Sequence, residues 1–208
     1  GGPFRTWAPE RLAAASVDEA LNHPTWSMGA KITVDSATLA NKALEVIEAH
    51  FLFGLDYDAV EVVVHPQSIV HAFVEFADGS VLAQVGFPTM EVPILYALTH
   101  PRRLGDTGTA RFDPVAGGDL TFEAVRTECF PAFSLGVAAG RQGGTAPAAF
   151  NAANEVAVAA FLDRKIPFGR IAAVIDAALT RHEAGPADAL EAVLTADRQA
   201  RIHATEAI

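Results

Sequence analysis

The chain has 208 residues, half of them hydrophobic, and a formal net charge of −10. This length allows one large domain or two small ones, and the acidic balance argues against nucleic acid and anionic membranes as partners because both repel negative charge. The single cysteine, Cys129, excludes an internal disulfide framework and fits a reducing compartment such as the cytoplasm. The sequence shows no signal-peptide pattern and no apolar run of membrane-spanning length.

The first part of the chain predicts a helix followed by an irregular loop. Residues 11–21 combine a capping serine with an acidic first turn, which favours a helix. Residues 23–31 follow as a loop bounded by a proline and a glycine, and this loop carries Trp26 and Met28. Two large apolar side chains on such a loop fit a mobile lid that closes over a ligand. They fit equally a loop that is anchored to the core.

Residues 32–48 are the stretch around which the rest of the chain is organised. The alternation of apolar and polar residues at 32–34 predicts a short strand. Asp35 and Ser36 are residue types that cap helix N-termini, so a helix is expected to begin there and to end before Gly54.

The polar face of this predicted helix combines groups for an anion and a metal ion. Ser36 lies at the N-terminal end, where backbone N–H groups favour an anion. Asn41 and Lys42 add an amide and an ammonium, and Glu45 adds a hard oxygen ligand suited to Mg²⁺ or Mn²⁺. A molecule with a phosphate at one end and chelating oxygens at the other fits this order. A solvated helix face with a Lys42–Glu45 pair is the alternative.

Three further strands are predicted from β-branched and alternating residues, at 61–65, 69–76 and 80–85. Asp78-Gly79 is a hairpin turn signal between the last two. With residues 32–34 these segments predict a sheet of about four strands. Residues 92–99 then predict a short helix.

Two histidines, His65 and His71, lie six residues apart near the predicted strands. Their spacing matches no zinc signature, which favours hydrogen-bonded structural histidines. A metal hydrolase that uses both of them together with His23 is an alternative that this spacing supports poorly.

The second half of the chain shifts to alanine-rich helical patterns. Residues 101–118, rich in Pro, Gly and Arg, predict a linker. Four helices with short connections are then expected at residues 132–141, 147–162, 168–181 and 187–206. The predicted fold class is α+β: residues 1–100 form a small, mostly four-stranded sheet with helices and a mobile lid loop, and residues 119–208 form a four-helix domain.

Eight motifs occur in order along the chain: Gly1-Gly2-Pro3-Phe4, His23-Pro24-Thr25-Trp26-Ser27-Met28-Gly29, Val34-Asp35-Ser36-Ala37-Thr38, Asn41-Lys42-Ala43-Leu44-Glu45, His65-Pro66-Gln67-Ser68, Asp78-Gly79-Ser80, Gly86-Phe87-Pro88-Thr89-Met90 and Asn151-Ala152-Ala153-Asn154-Glu155. Together they closely resemble the 1-deoxy-D-xylulose 5-phosphate reductoisomerase family. The match covers essentially the whole chain, and several long motifs together are far more specific than any one spacing.

The resemblance implies an NADPH-dependent enzyme of non-mevalonate isoprenoid biosynthesis. Such an enzyme rearranges the phosphorylated ketose and reduces the resulting aldehyde to 2-C-methyl-D-erythritol 4-phosphate. A divalent ion (Mg²⁺, Mn²⁺ or Co²⁺) chelates the substrate oxygens and acts as a Lewis acid. A homodimer is the expected assembly, and a non-catalytic phosphosugar-binding or dimerisation module is the alternative function.

The resemblance also implies roles for individual residues. It makes Glu45, His23 and Lys42 catalytic, and Glu45 the metal ligand. It places the substrate against His23, Trp26, Met28, Ser36, Asn41, Lys42, Glu45, His71 and Met90. Gly29 is expected beside the nicotinamide nucleotide. The segment 151–155 is expected to serve helix packing.

Family members carry a nucleotide-binding domain ahead of the region that this chain matches. That domain contains the glycine-rich dinucleotide turn, and an Asp and a Glu that complete the metal site follow it. We therefore expect this chain to be the catalytic and C-terminal helical portion of the enzyme, and to be inactive by itself.

Overall fold

A computed structural model describes residues 2–105 and 108–208. The chain divides into two compact units: Gly1–Val62 with Val125–Ile208, and Val63–Ala124. Gly1 of the first motif and residues 106 and 107 of the predicted linker lie outside the described residues. These units differ from the predicted catalytic domain (1–100), linker (101–118) and helical domain (119–208), and that functional division stays a prediction.

The described residues contain nine α-helices. They are α1 (Pro9–Ala13), α2 (Val17–Leu21), α3 (Ala30–Thr38), α4 (Ala40–Phe53), α5 (Glu91–Thr99), α6 (Pro131–Gln142), α7 (Ala146–Leu162), α8 (Arg170–Thr180) and α9 (Leu190–Glu206). The α+β class and the four C-terminal helices are confirmed. The single helix predicted for residues 11–21 is instead two short helices, and a reciprocal Ser16–Glu19 capping box starts the second.

The larger unit is built around α7, which packs against α6, α8 and α9. Alanines let these helices approach closely, and large side chains fill the remaining space. The fully buried members of this core include Phe4, Phe150, Phe161, Ile171, Ile175 and Val174. Helix α3 packs on the same core through Val34, which is also fully buried. The helical half of the chain therefore supports the segment that carries the predicted site.

The strand predicted at residues 32–34 is wrong, because these residues lie inside α3. The Thr33 hydroxyl donates to the Gly29 carbonyl one helical turn earlier. Val34 is buried and Ile32 is exposed, whereas in a strand both would face the same side. Tertiary packing overrides the preference of β-branched residues for strands. Ser36 consequently lies in the last turn of a helix and does not cap the start of one.

The predicted four-stranded sheet is also wrong. In the described part of the unit Val63–Ala124, β1 (Val63–Val64) pairs with β4 (Glu123–Ala124), and β2 (Val70–Glu75) pairs with β3 (Val81–Val85), both antiparallel. The turn between β2 and β3 is at Asp78-Gly79 as predicted, where Asp78 accepts hydrogen bonds from the Ser80 backbone and hydroxyl. Across residues 2–105 and 108–208, no helix has the length and apolar character to span a membrane.

Candidate functional site

The candidate site lies at the break between α3 and α4. Leu39 ends the first helix and begins the second, and its φ of 61° lies in the left-handed region. That conformation is costly for a residue with a branched side chain, so the surrounding packing must hold it in place. The break sets Ser36 in the last turn of α3 and Asn41 and Lys42 in the first turn of α4. The helix N-terminus available to an anion is therefore that of α4.

His23 and Ser36 form the first part of the site. His23 Nδ1 accepts the backbone N–H groups of Thr25 and Trp26 at 3.1 and 3.0 Å. Because an accepting nitrogen carries no proton, the neutral ring is protonated at Nε2, which donates to Ser36 Oγ at 3.1 Å. Burial lowers the pKa of His23, which favours the neutral ring. The Ser36 hydroxyl hydrogen then remains for an incoming acceptor.

Asn41, Lys42 and Glu45 form the second part. The Asn41 amide donates to Glu45 Oε1 at 2.6 Å, and the Lys42 ammonium makes an ion pair with Glu45 Oε2. The side chains of Lys42 and Glu45 are each close to half exposed. Glu45 is thus an accessible carboxylate with two donors on its oxygens, and a cation and an amide lie beside it.

Two buried residues behind the site were not predicted to belong to it. Asp35 precedes Ser36, is 1% exposed, and accepts from Asn154 Nδ2 at 2.9 Å while pairing with Lys31 Nζ at 2.6 Å. Asn154, on α7, is fully buried. The only sequence signal was a polar residue among alanines in the motif 151–155, which a packing interpretation explained equally well.

The loop before α3 carries three residues with predicted roles. Trp26 and Met28 are half-buried, and Gly29 is the exposed N-cap of α3. The loop is tied to the site through the two backbone N–H groups that His23 accepts. Its closure over a ligand and the role of Gly29 beside a nucleotide remain predictions.

The other two predicted residues, His71 and Met90, belong to the unit Val63–Ala124. His71 Nε2 lies 3.0 Å from the Gly86 carbonyl oxygen, and Met90 is the exposed N-cap of α5. In the same unit His65 is buried, lies 2.8 Å from the Thr121 carbonyl oxygen through Nδ1, and stacks on Phe122. These contacts are those of a structural histidine.

The described residues contain no group of three or more His, Cys, Asp or Glu side chains that could hold a metal ion. A histidine-based hydrolase centre is therefore not supported. Glu45 supplies one hard oxygen ligand and needs others from outside this set or from a bound molecule. The fold and the site together define an α+β chain in which N–H and O–H donors and an accessible carboxylate lie on either side of a helix junction.

Comparison with known proteins gives the family. The model of the DXP reductoisomerase C-terminal domain matches residues 85–203, and that of the 1-deoxy-D-xylulose 5-phosphate reductoisomerase C-terminal domain matches residues 1–53. The chain belongs to the DXP reductoisomerase C-terminal domain family.

Relatives and solved structures agree with this assignment. The chain is 54% identical to 1-deoxy-D-xylulose 5-phosphate reductoisomerase of Parasynechococcus marenigrum over 100% of its own length and 51% of the relative's, and 54% identical to that of Ralstonia nicotianae over 97% and 51%. It therefore spans about half the length of the curated relatives it matches.

Two solved structures are similar over 99% of the chain. The reductoisomerase of Zymomonas mobilis in complex with NADPH has a TM-score of 0.91 and 43% identity, and the match covers 53% of that chain. A DOX-P reductoisomerase in complex with NADPH, fosmidomycin and magnesium has a TM-score of 0.92 and 42% identity, over 52% of that chain.

Proposed function

We propose that this chain contributes the substrate- and metal-binding site of an NADPH-dependent 1-deoxy-D-xylulose 5-phosphate reductoisomerase. The substrate is 1-deoxy-D-xylulose 5-phosphate and the product is 2-C-methyl-D-erythritol 4-phosphate. The observation that carries the proposal is the pair of polar groups on either side of the Leu39 break. One is His23 with Ser36, and the other is Asn41 and Lys42 with Glu45.

The first group and the start of α4 suit a phosphate. Ser36 Oγ accepts a hydrogen bond from His23 Nε2–H and so has its own hydroxyl hydrogen to donate. Asn41 and Lys42 add N–H donors, and the partial positive charge of the α4 N-terminus favours the same anion. These donors are preorganised, since His23 is itself held by two backbone N–H groups.

Glu45 suits a hard divalent ion such as Mg²⁺, Mn²⁺ or Co²⁺ by its chemistry and exposure. When bound, such an ion polarises the substrate carbonyl as a Lewis acid. Each Glu45 oxygen accepts one hydrogen bond in this structure and keeps a second lone pair, so Glu45 could hold such an ion while Asn41 and Lys42 stay beside it. Asn41 and Lys42 would then lie next to the substrate oxygens and orient them.

The remaining predicted residues complete the proposal. Trp26 and Met28 cover the carbon chain of the substrate when the loop closes, and Gly29 lies beside the nicotinamide of NADPH. The roles of His71 and Met90 as substrate contacts stay predictions. Support comes from the family assignment and, for the loop, from its attachment to His23.

We further propose a homodimer in the cytoplasm, with no nucleic acid or membrane partner. Support for association is the apolar surface of the unit Val63–Ala124, where large hydrophobic side chains on β2, β3 and α5 are exposed: Phe73, Val74, Val81, Leu82, Ile94 and Leu98. Apolar area of this kind on a soluble unit is typical of an interaction surface. The net charge of −10 argues against nucleic acid.

The test is Glu45→Gln in the full-length enzyme, with Glu48→Gln as the matched control on the same helix. The substitution at Glu45 keeps the size and one hydrogen-bonding oxygen but removes the charge. The Mg²⁺ concentration for half-maximal NADPH oxidation should therefore rise at least about tenfold, and kcat should fall. Glu48→Gln should leave both unchanged. Unaltered metal dependence in Glu45→Gln would contradict the proposal.

The alternative, a non-catalytic phosphosugar-binding or dimerisation module, predicts a different result. The full-length wild-type protein would then bind the phosphosugar without oxidising NADPH, whatever divalent ion is added.

A further inference from the structure

A buried polar bridge joins the helical core to the candidate site. Asn154, on α7, donates through Nδ2 to Asp35 Oδ1 at 2.9 Å, across 119 positions of sequence. Both residues are at most 1% exposed. The second carboxylate oxygen, Oδ2, pairs with Lys31 Nζ at 2.6 Å, and the Lys31 side chain is 40% exposed.

Packing α3 against α7 through this polar bridge costs free energy that an apolar contact would not. Asn154 lies among buried alanines on α7, and its Oδ1 has no hydrogen-bond partner among the residues that the structure describes. A buried polar atom without a partner costs free energy, and an apolar pair of the same volume often packs equally well. The polar pair instead fixes the position of the Asp35 carboxylate relative to α7, because a hydrogen bond sets the distance and angle between two particular atoms.

The bridge is connected to the site through the backbone of the last turn of α3. Asp35 immediately precedes Ser36, and its backbone carbonyl accepts the Thr38 hydroxyl at 3.2 Å. The Ser36 carbonyl accepts the Leu39 N–H at 3.3 Å, which closes the turn before α4. The side chain of Asp35 is therefore the anchor of the turn from which the Ser36 hydroxyl projects toward His23.

We propose that Asn154 is a positioning residue that holds the last turn of α3 through Asp35 and so sets the Ser36 hydroxyl against His23. Its importance for ligand binding rests on the proposed function of Ser36 as a phosphate contact. Without Asn154, Asp35 keeps only Lys31, whose partly exposed side chain draws the carboxylate toward solvent. The turn and Ser36 then lose their fixed orientation.

The test uses three variants of the full-length protein. Asn154→Leu removes the donor and keeps the number and branching of the side-chain heavy atoms. Asn151→Leu is the matched control, since Asn151 is one turn earlier on α7 and donates to Glu155 at 3.2 Å instead of to α3. The reciprocal double variant Asp35→Asn with Asn154→Asp restores the bridge with its donor and acceptor exchanged.

The first readout is independent of any ligand: the imidazole ¹⁵N chemical shifts of His23, which report its tautomer and its hydrogen bond to Ser36. We expect Asn154→Leu to change these shifts, and Asn151→Leu and the double variant to retain the wild-type shifts. Unchanged His23 shifts in a folded Asn154→Leu protein would overturn the proposal.

The second readout is the affinity for fosmidomycin in the presence of Mg²⁺, measured by calorimetry. Asn154→Leu should bind about tenfold or more weakly, because small misplacements of a contact group have large effects. The double variant should remain within about twofold of wild type if the bridge acts through geometry.

The two readouts distinguish a failure of the proposed function from a failure of the positioning role. Wild-type protein that shows the His23 shifts but binds no fosmidomycin would contradict the proposed function and leave the positioning role standing. If Asn154→Leu does not fold, the double variant tests the positioning role instead. Wild-type shifts and affinity support the positioning role, and a folded double variant with altered His23 shifts and weakened binding overturns it.

Discussion

The close approach of Gly2 to Ser36 leads to the sharpest prediction. Gly2 is buried, and a Cβ at this position would lie 2.6 Å from the Ser36 carbonyl oxygen and 2.8 Å from the Ala37 Cα. Both are backbone atoms of α3 and cannot rotate away. Phe4, two positions further on, is fully buried against Phe168 and Trp7, so the segment that carries Gly2 has little freedom to retreat.

The cost of Gly2→Ala follows from this geometry. Ordinary Cβ contacts begin near 3.4 Å, so the two backbones must separate by about 0.8 Å. Overpacking of this kind costs about 1–3 kcal/mol. For a cooperative unit of about 150–250 residues, each kcal/mol lowers Tm by about 2–4 °C. The shift also moves the Ser36 turn, so on the proposed function the affinity for fosmidomycin should fall together with stability.

The measurement is differential scanning calorimetry of the full-length protein, together with fosmidomycin affinity in Mg²⁺. Gly185→Ala is the control, because a Cβ there would meet no atom within 4 Å and Gly185 lies in the same unit. A Gly2→Ala protein whose Tm and affinity equal those of Gly185→Ala would refute the reasoning, since it would show that the two backbones can separate freely.

Three other outcomes are expected. Trp26→Ala should raise the Kd for substrate and for fosmidomycin together, and equal affinities in titrations of both would contradict the closing loop. Burial lowers the pKa of His23, so its contribution to stability is complete above its ordinary pKa of 6.5 and is lost as pH falls below it. Urea unfolding of His23→Gln should therefore show a shallower loss of stability with acid than wild type, and parallel curves would contradict this. A polypeptide limited to these 208 residues should not oxidise NADPH with substrate and Mn²⁺, because its described part contains no group of three or more His, Cys, Asp or Glu side chains that could hold the ion. Measurable turnover would contradict this.

The local sequence signals were reliable where the interaction is itself local. Gly54 ends α4 with a φ of 65°, as a glycine after a helical pattern should. The Ser16 capping box and the Asp78-Gly79 turn are also made by neighbouring residues, and both are observed. Each depends on atoms within a few positions of one another, which the sequence displays directly.

Predictions failed where contacts between residues far apart in the sequence determine the local structure or the burial of a side chain. Residues 32–34 have a strand-like alternation, yet they form a helix because Val34 is buried against the helical core. Within α4, Phe51 is at helical spacing from the buried Ala43 and Ile47, but it is 65% exposed. Periodicity tells which residues share a face, and only the neighbouring elements determine which face is covered.

The family, the four C-terminal helices and the residue types of the site could be inferred from the sequence alone, because motifs and helical periods are properties of neighbouring positions. Where those residues meet depends on the packing of the folded chain. That packing brought Asn154 to Asp35 and Gly2 to Ser36, and it set Leu39 in the conformation that separates two helices. Contacts between distant positions of the chain leave no local pattern, since they depend on how the helices pack in three dimensions.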